Sequence, residues 1–268
     1  MAERPVWLIG CGNMAGAMLA GWLAAGEDPG RFHVIDPGAP DLPEGVSRVE
    51  NAPAEGFGAA IVQLGVKPHM LSDIASQIGE AVGPQTVLTS IMAGVEIASL
   101  RRAFPDAAEI FRTMPNLPVA LGKGAIGLLP ERESGSLDAE IVELLTPLGA
   151  VERLATEAAL GAVTVLSGSG PAFLYRFADA LAAAGEAAGL DREQALRLAI
   201  ATVEGASALA ARSDESPGAL ADRVASPGGT TRAGLDILDR DAGLETLIRE
   251  TIDAAVRRAE EMAEEARG

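Results

Sequence analysis

Over the first half of the chain, short apolar runs alternate with longer stretches of helical spacing, the pattern of a sheet covered by helices. Val6 to Ile9 predicts a first strand, and Asn13 to Ala25 sets Met14, Met18, Leu19, Trp22 and Leu23 at helical spacing, with Gly26 as a stop. Phe32 to Ile35, Val46 to Val49, Ala59 to Val66, Val87 to Ile91 and Ala108 to Arg112 predict further strands. Between them, Leu71 to Val82 and Val95 to Ala103 read as helices. Pro115 and Pro118 break any helix across M-P-N-L-P, and Glu140 to Thr146 reads as the last helix of this half. Beyond about Arg153 the texture changes. Glu157 to Ala188, Arg192 to Ala211 and Leu244 to Glu265 are Ala-rich helical stretches with no strand signal between them, and Asp191 and Ser216-Pro217 mark helix starts.

Composition narrows the class. With 48% hydrophobic and 22% charged residues the chain can bury a sizeable core, and with 3% aromatics that core is built from Ala, Leu, Val and Ile. Scarce aromatics and a formal net charge of -17 argue against nucleic-acid binding and anionic membrane surfaces, while leaving room for a local pocket that holds one small anion. The single cysteine, Cys11, cannot close an intrachain disulfide, which suits a cytoplasmic setting. His33 and His69 lack metal-ligand spacing, and no metal centre is expected. The uncharged run from Pro5 to Gly26, preceded by Arg4, has the charge pattern of a signal peptide or a membrane span. Its clustered Gly10, Gly12 and Gly16 suit a strand, a tight turn and a helix better. No other stretch approaches ~18 consecutive apolar residues, so a soluble chain is expected.

Within that run, Gly10, Gly12 and Ala15 form G-x-G-x-x-A after a strand and at the opening of a helix. Gly10 permits the sharp turn, Gly12 lets a pyrophosphate approach the backbone, and the amides at the helix start receive its charge. A plain strand-to-helix turn has the same pattern. Asp36, at the end of the second strand, either accepts hydrogen bonds from the adenosine ribose hydroxyls, which favours NADH over NADPH, or only opens the D-P-G turn. Cys11 reads as a small filler. These features give an α/β fold class: an N-terminal Rossmann-like dinucleotide-binding domain over residues 1–155, followed by an all-helical C-terminal domain over 156–268.

Six segments stand in order along the chain: I-G-C-G-N-M-A (Ile9 to Ala15), V-K-P (Val66 to Pro68), S-I-M-A-G-V (Ser90 to Val95), R-T-M-P-N-L-P (Arg112 to Pro118), L-S-G-S-G-P-A (Leu166 to Ala172) and S-P-G-G-T-T (Ser226 to Thr231). Together they resemble the pyrroline-5-carboxylate reductase family over nearly the whole chain. The resemblance implies reduction of 1-pyrroline-5-carboxylate to L-proline by hydride from NAD(P)H, the last step of proline biosynthesis. It implies that Thr231 is catalytic through a hydrogen bond to the ring nitrogen, and that Ser226, Gly228, Gly229 and Thr230 bind substrate. The coenzyme is expected on Gly10, Gly12, Asn13, Met14, Asp36, Asn51, Val66, Lys67, Pro68, Ala93 and Gly94. The helical half becomes the dimerisation and substrate-binding domain of a homodimer, which in the family can extend to a ring of dimers.

The chain departs from the family pattern at Gln63 and Gly65, where apolar residues are commoner, and at Met92, which replaces a smaller residue. The acidic position in S-D-E-S-P is open between Asp214 and Glu215. Two rival readings stand beside the main one: another imine or 3-hydroxyacid reductase with the same layout, and a non-catalytic dinucleotide sensor.

Overall fold

The computed structural model describes residues 3–38, 41–133 and 135–265; the last residues of the charged C-terminal end lie outside that set. Contacts divide the chain into two compact units, one running to Gly168 and taking in the chain from Val256 on, the other Ser169–Ala255.

The first unit is built on an eight-stranded sheet: β1 (Val6–Ile9), β2 (Phe32–Ile35), β3 (Ser47–Arg48), β4 (Ile61–Leu64), β5 (Val87–Ser90), β6 (Glu109–Met114), β7 (Gly124–Pro130) and β8 (Gly149–Arg153), in the order β3-β2-β1-β4-β5-β6-β7-β8. The strands are parallel from β3 to β6; β7 runs antiparallel to β6, and β8 parallel to β7. On one face lie α1 (Asn13–Ala24) and α4 (Ser136–Leu145), whose Met18, Leu19, Trp22, Ile141, Leu144 and Leu145 are buried with Val6, Leu8 and Phe111. On the other lie α2 (Leu71–Ile78) and α3 (Ile97–Ala103), which bury Ile74, Ile78 and Leu100 against Val62, Leu88 and Ile110. Covered on both faces, β4, β5 and β6 are buried at every residue, including the polar Gln63, Thr89, Ser90, Glu109, Arg112 and Thr113 that interrupt their apolar runs.

Two strands were not legible as such. β7, G-A-I-G-L-L-P, is interrupted by glycines, and a Cβ on Gly127 would stand 3.0–3.1 Å from Val163, Leu154 and Leu160, so the glycine is where side chains close over the strand. Across the β7–β8 pair, Gly149 adopts φ +144 and a Cβ there would lie 2.1 Å from the Gly124 carbonyl oxygen. The helix predicted from Glu140 begins at Ser136, and the third strand contracts to two residues.

The stretch predicted as one helix from Glu157 is three pieces: α5 (Glu157–Val163), a π-helical turn over Thr164–Ser169, and α6 (Gly170–Ala187). The π turn carries most of L-S-G-S-G-P-A. Among the described residues, Glu157–Ala187 is the one helical stretch long and apolar enough, by length and composition, to cross a membrane; a mean-hydropathy window tolerates the few polar residues that interrupted the consecutive run. The second unit continues with α7 (Arg192–Ala210), α8 (Pro217–Val224) and α9 (Thr230–Asp239), while α10 (Gly243–Glu265) carries the chain out of it. Asp191 accepts from the amides of Glu193 and Gln194, and Ser216 from that of Ala219, so both predicted starts are side-chain caps.

Candidate active site

In the sheet unit, most of the predicted coenzyme residues gather at the C-terminal edge of neighbouring strands β2, β1, β4 and β5, around the point where the strand order reverses between β1 and β4. Gly10 sits at φ +82, and a Cβ on it would stand 2.7 Å from Val66 Cγ1. Opposite it, a Cβ on Gly65 would stand 2.6 Å from the Gly10 carbonyl oxygen. The two backbones are in mutual contact, so the departure at Gly65 has a steric cause. A Cβ on Gly12, in contrast, would meet nothing within 4 Å, and Gly12 caps α1 with no side-chain hydrogen bond and no acidic residue in the first turn. The helix therefore opens into unfilled space with its first amides uncapped by side chains, a fit for a pyrophosphate. Asn13 is exposed, whereas Met14 is partly buried and packs against the core beneath.

Asp36 does more than the sequence indicated. Its Oδ2 accepts from the Cys11 amide at 2.6 Å and its Oδ1 from the Gly38 amide at 2.7 Å, so one carboxylate ties the glycine turn to the loop after β2. Burial first, and then the Asp36 charge, push the Cys11 thiol above its ordinary pKa, which keeps it protonated and unreactive as a nucleophile.

Val66 is half-buried, Lys67 is exposed, and Pro68 opens a 3₁₀ turn, Pro68–Met70. Ala93 and Gly94 are exposed, Gly94 at φ +74 with open space where a Cβ would be. The Met92 side chain is instead buried in the core. Asn51 is exposed on the connection from β3 to β4.

Side chains to which the motifs gave no role hold these loops. Arg112, buried in β6, pairs with Glu157 and donates to the Met92 carbonyl at 3.2 Å; Glu157 also accepts from the Ile97 amide at 2.8 Å. Asn116 bridges the Ser167 carbonyl and the Ala125 amide, both at 2.9 Å, and so ties the M-P-N segment to the π turn. R-T-M-P-N named these residues without revealing their partners.

The helical unit holds the S-P-G-G-T-T loop. Gly228 turns at φ +70, and Gly229, the N-cap of α9, donates its amide to the Ser226 carbonyl at 3.0 Å. A Cβ on Gly229 would lie 2.5 Å from Ser226 Oγ, so the serine hydroxyl folds over the start of the helix. Thr230 and Thr231 are exposed, and the Thr231 hydroxyl has no hydrogen-bond partner among the described residues. The loop is braced by α8, where Asp222 accepts from Arg232 at 2.6 Å. Of the two acidic candidates upstream, Glu215 is paired with Arg223. The structure thus gathers Ser226, Gly228, Gly229, Thr230 and Thr231 on one unit and the glycine-turn and strand-edge residues on the other.

Comparison with known proteins places both units. Residues 157–262 match the family described as pyrroline-5-carboxylate reductase dimerisation, and residues 5–94 match NADP oxidoreductase, coenzyme F420-dependent. The pyrroline-5-carboxylate reductase of Pseudomonas aeruginosa is 34% identical, covering 99% of both chains. A solved pyrroline-5-carboxylate reductase from Coxiella burnetii, 30% identical, superimposes with a TM-score of 0.87 over 97% of this chain and 98% of that one. The Plasmodium falciparum pyrroline carboxylate reductase structure with NADP bound, 24% identical, shares the fold at a TM-score of 0.80 over 98% and 99%.

Proposed function

Because the chain belongs to the pyrroline-5-carboxylate reductase family, matching a relative 34% identical over 99% of its length, we propose that it reduces 1-pyrroline-5-carboxylate to L-proline at the expense of NAD(P)H, the last step of proline biosynthesis. The observation that carries this reading is the presence in one chain of a glycine-turn helix start without a side-chain cap and an S-P-G-G-T-T loop with an exposed Thr231.

The bound nicotinamide supplies the hydride. The chain's own residues bind and orient. The amides opening α1 neutralise the pyrophosphate, and the exposed backbone at Val66 to Pro68 and Ala93 to Gly94 lines the coenzyme. On the other unit, the turn at Gly228 and the first amides of α9 hold the substrate carboxylate, with Ser226 adding a hydroxyl. Thr231, able to donate or accept, holds the ring nitrogen in either protonation state. As the C=N π bond opens, hydride adds to the imine carbon and the ring nitrogen keeps its proton, leaving a secondary amine. A protonated imine is already electrophilic, so positioning and charge complementarity are enough to drive the step.

Asp36 supports NADH as the better coenzyme. Each of its oxygens accepts one backbone amide and retains a lone pair for a ribose hydroxyl, whereas a 2′-phosphate ~4 Å away would be repelled by roughly 4 kcal/mol at an effective dielectric of about 20. The apolar, outward-facing helices of the second unit support a homodimer, and one buried cysteine in a strongly acidic chain suits the cytoplasm.

The test is a coenzyme-oxidation assay with 1-pyrroline-5-carboxylate. Turnover of this imine in preference to simple 3-hydroxy or 2-keto acids is expected; coenzyme binding without imine turnover would favour a sensor. Comparing kcat/KM for NADH and NADPH in Asp36→Asn tests the preference. An asparagine keeps only one acceptor for two amides, so both coenzymes should weaken, NADH the more. A wild type strongly preferring NADPH removes the role assigned to Asp36.

A further inference from the structure

Between β5 and α3 the chain exposes Ala93 and Gly94, the residues assigned above to the coenzyme, and two anchors flank them. At Met92 the carbonyl accepts from Arg112 Nη2 at 3.2 Å; at Ile97, the first residue of α3, the amide donates to Glu157 Oε1 at 2.8 Å. Both anchors lead to one ion pair, since Arg112 Nη1 and Glu157 Oε2 are bonded to each other. Arg112 is only 6% exposed in its side chain and its Nε has no partner, so the guanidinium rests almost wholly on Glu157 and the Met92 carbonyl. The pair also spans the fold: Arg112 comes from β6 and Glu157 from the first residue of α5.

Resting on the coenzyme reading above, we propose that the Arg112–Glu157 ion pair is a positioning device for that loop: it clamps both ends of the 93–96 segment and sets the backbone of Ala93 and Gly94 for NAD(P)H. With Arg112 buried and Glu157 34% exposed in its side chain, the pair is weak as a source of stability, because desolvating the guanidinium offsets much of the attraction and solvent at the carboxylate screens the rest. Its geometry does something an apolar pair could not. One guanidinium and one carboxylate have enough hydrogen-bonding sites to hold each other and two backbone groups on opposite sides of an exposed glycine.

Two variants separate positioning from plain structural support. Glu157→Gln keeps the shape and an acceptor for the Ile97 amide but removes the charge facing Arg112. Ile97→Pro removes the amide donor together with the isoleucine side chain packed against Met114, Leu129 and Leu160, and is therefore read against Ile97→Ala, which loses the side chain and keeps the amide; proline is tolerated at the first helical position, and Glu96 already has the extended backbone (φ -74, ψ 156) that a following proline requires. The control is Arg101→Lys, which weakens the neighbouring Arg101–Glu131 pair on the far end of α3, away from the loop. Coenzyme affinity is read by NADH and NADPH fluorescence titration without imine, beside Tm and steady-state kinetics.

The expected result is a coenzyme Kd raised about tenfold in Glu157→Gln over wild type and about threefold in Ile97→Pro over Ile97→Ala. The coenzyme KM should rise in step while kcat falls less, and Arg101→Lys should lower Tm with its Kd within about twofold of wild type. Kd within about twofold of these references in both loop variants, whatever their Tm, overturns the proposal and leaves the pair a structural one. If Glu157→Gln does not fold, Ile97→Pro decides on the same criterion. A wild type that binds neither coenzyme overturns the coenzyme reading and this inference together; a wild type that binds and turns over, with both loop variants matching their references, overturns this inference alone.

Discussion

The sheet unit and the helical unit put a similar stock of apolar residues to different use. In the sheet unit, helices on both faces bury two extended clusters, and its largest side chains, among them Trp22, Phe32, Phe104 and Phe111, are inaccessible. In the helical unit the buried cluster is three alanines, Ala182, Ala195 and Ala199, at the seam of α6 and α7. A Cβ on Gly185 would already touch Ala195 at 3.3 Å, so small residues bring these helices close and turn the large ones outward. Leu174, Phe177 and Leu181 form one exposed stripe on α6, and Leu196 and Ile200 another on α7. A sheet can be covered by its own connecting helices; a helical pair with an alanine seam leaves its apolar faces for another surface. For this chain that surface is assigned above to a second copy.

That contrast can be broken by experiment. The largest effect is expected from Phe177→Glu combined with Ile200→Glu, which puts carboxylates on faces that are 48% and 52% exposed in one chain and desolvated in a dimer. Dimerisation should weaken by on the order of 6 kcal/mol, and sedimentation at micromolar concentration should show a folded monomer. An unchanged dimer would mean that these stripes face solvent. Next comes Trp22→Ala, which removes a fully buried ring stacked on Phe32 at 5.3 Å and strands the Leu144 carbonyl it bonds at 2.7 Å. A loss of about 3–5 kcal/mol is expected in urea denaturation. Ile200→Ala should cost less than about 0.5 kcal/mol under dissociating conditions and more when dimer is present. Equal costs for the two at all concentrations would erase the distinction between the units.

Thr231→Val should lower kcat/KM by about 1–3 kcal/mol while leaving coenzyme affinity intact, because it removes one hydroxyl at constant volume on the unit that does not carry the glycine turn. Unchanged turnover would show that the ring nitrogen is served by water or another group. The smallest effect concerns Glu109, the first residue of β6. Burial raises its carboxyl above the ordinary 4.5, opposed by Arg132 at 2.8 Å. At pH values between the ordinary pKa and the raised one, the folded form holds a proton that the unfolded chain has released; the associated stability is fully present below the ordinary 4.5 and lost as pH rises through the raised pKa. Glu109→Gln should flatten this decline above about pH 4.5. Since the residue lies in the unit that buries its own core, the effect should not depend on protein concentration; a slope unchanged by the substitution would exclude Glu109 as its source.

Much of the sheet unit was legible because parallel strands covered on both faces are rich in apolar residues, and β1, β2, β4, β5 and β6 each lie where a short apolar run was found, even where Gln63, Thr89 or Arg112 interrupts it. β7 and β8 escaped because their signal is not periodic: Gly124, Gly127 and Gly149 are strand residues only by virtue of what crowds them. The glycine turn and S-P-G-G-T-T were visible as motifs because backbone conformation and helix starts are local properties. The partners of Asp36, Arg112 and Asn116 were not, since hydrogen bonds spanning 25, 45 and 51 residues leave no trace in spacing.

By itself the sequence determined the alternation of strands and helices, the switch to alanine-rich helices, the turn at Gly10 and Gly12, the caps at Asp191 and Ser216, and the family resemblance carried by six ordered segments. These follow from period, propensity and φ preference, which act over a few residues. Only the tertiary structure decided that β7 runs against β6, that Gly65 must leave room for the Gly10 carbonyl, that Asp36 holds two loops together, and that Arg112 and Glu157 share the anchors of the loop between β5 and α3. Those outcomes depend on which buried polar groups find one another across the fold, and burial makes an unpaired charge costly enough to fix the choice.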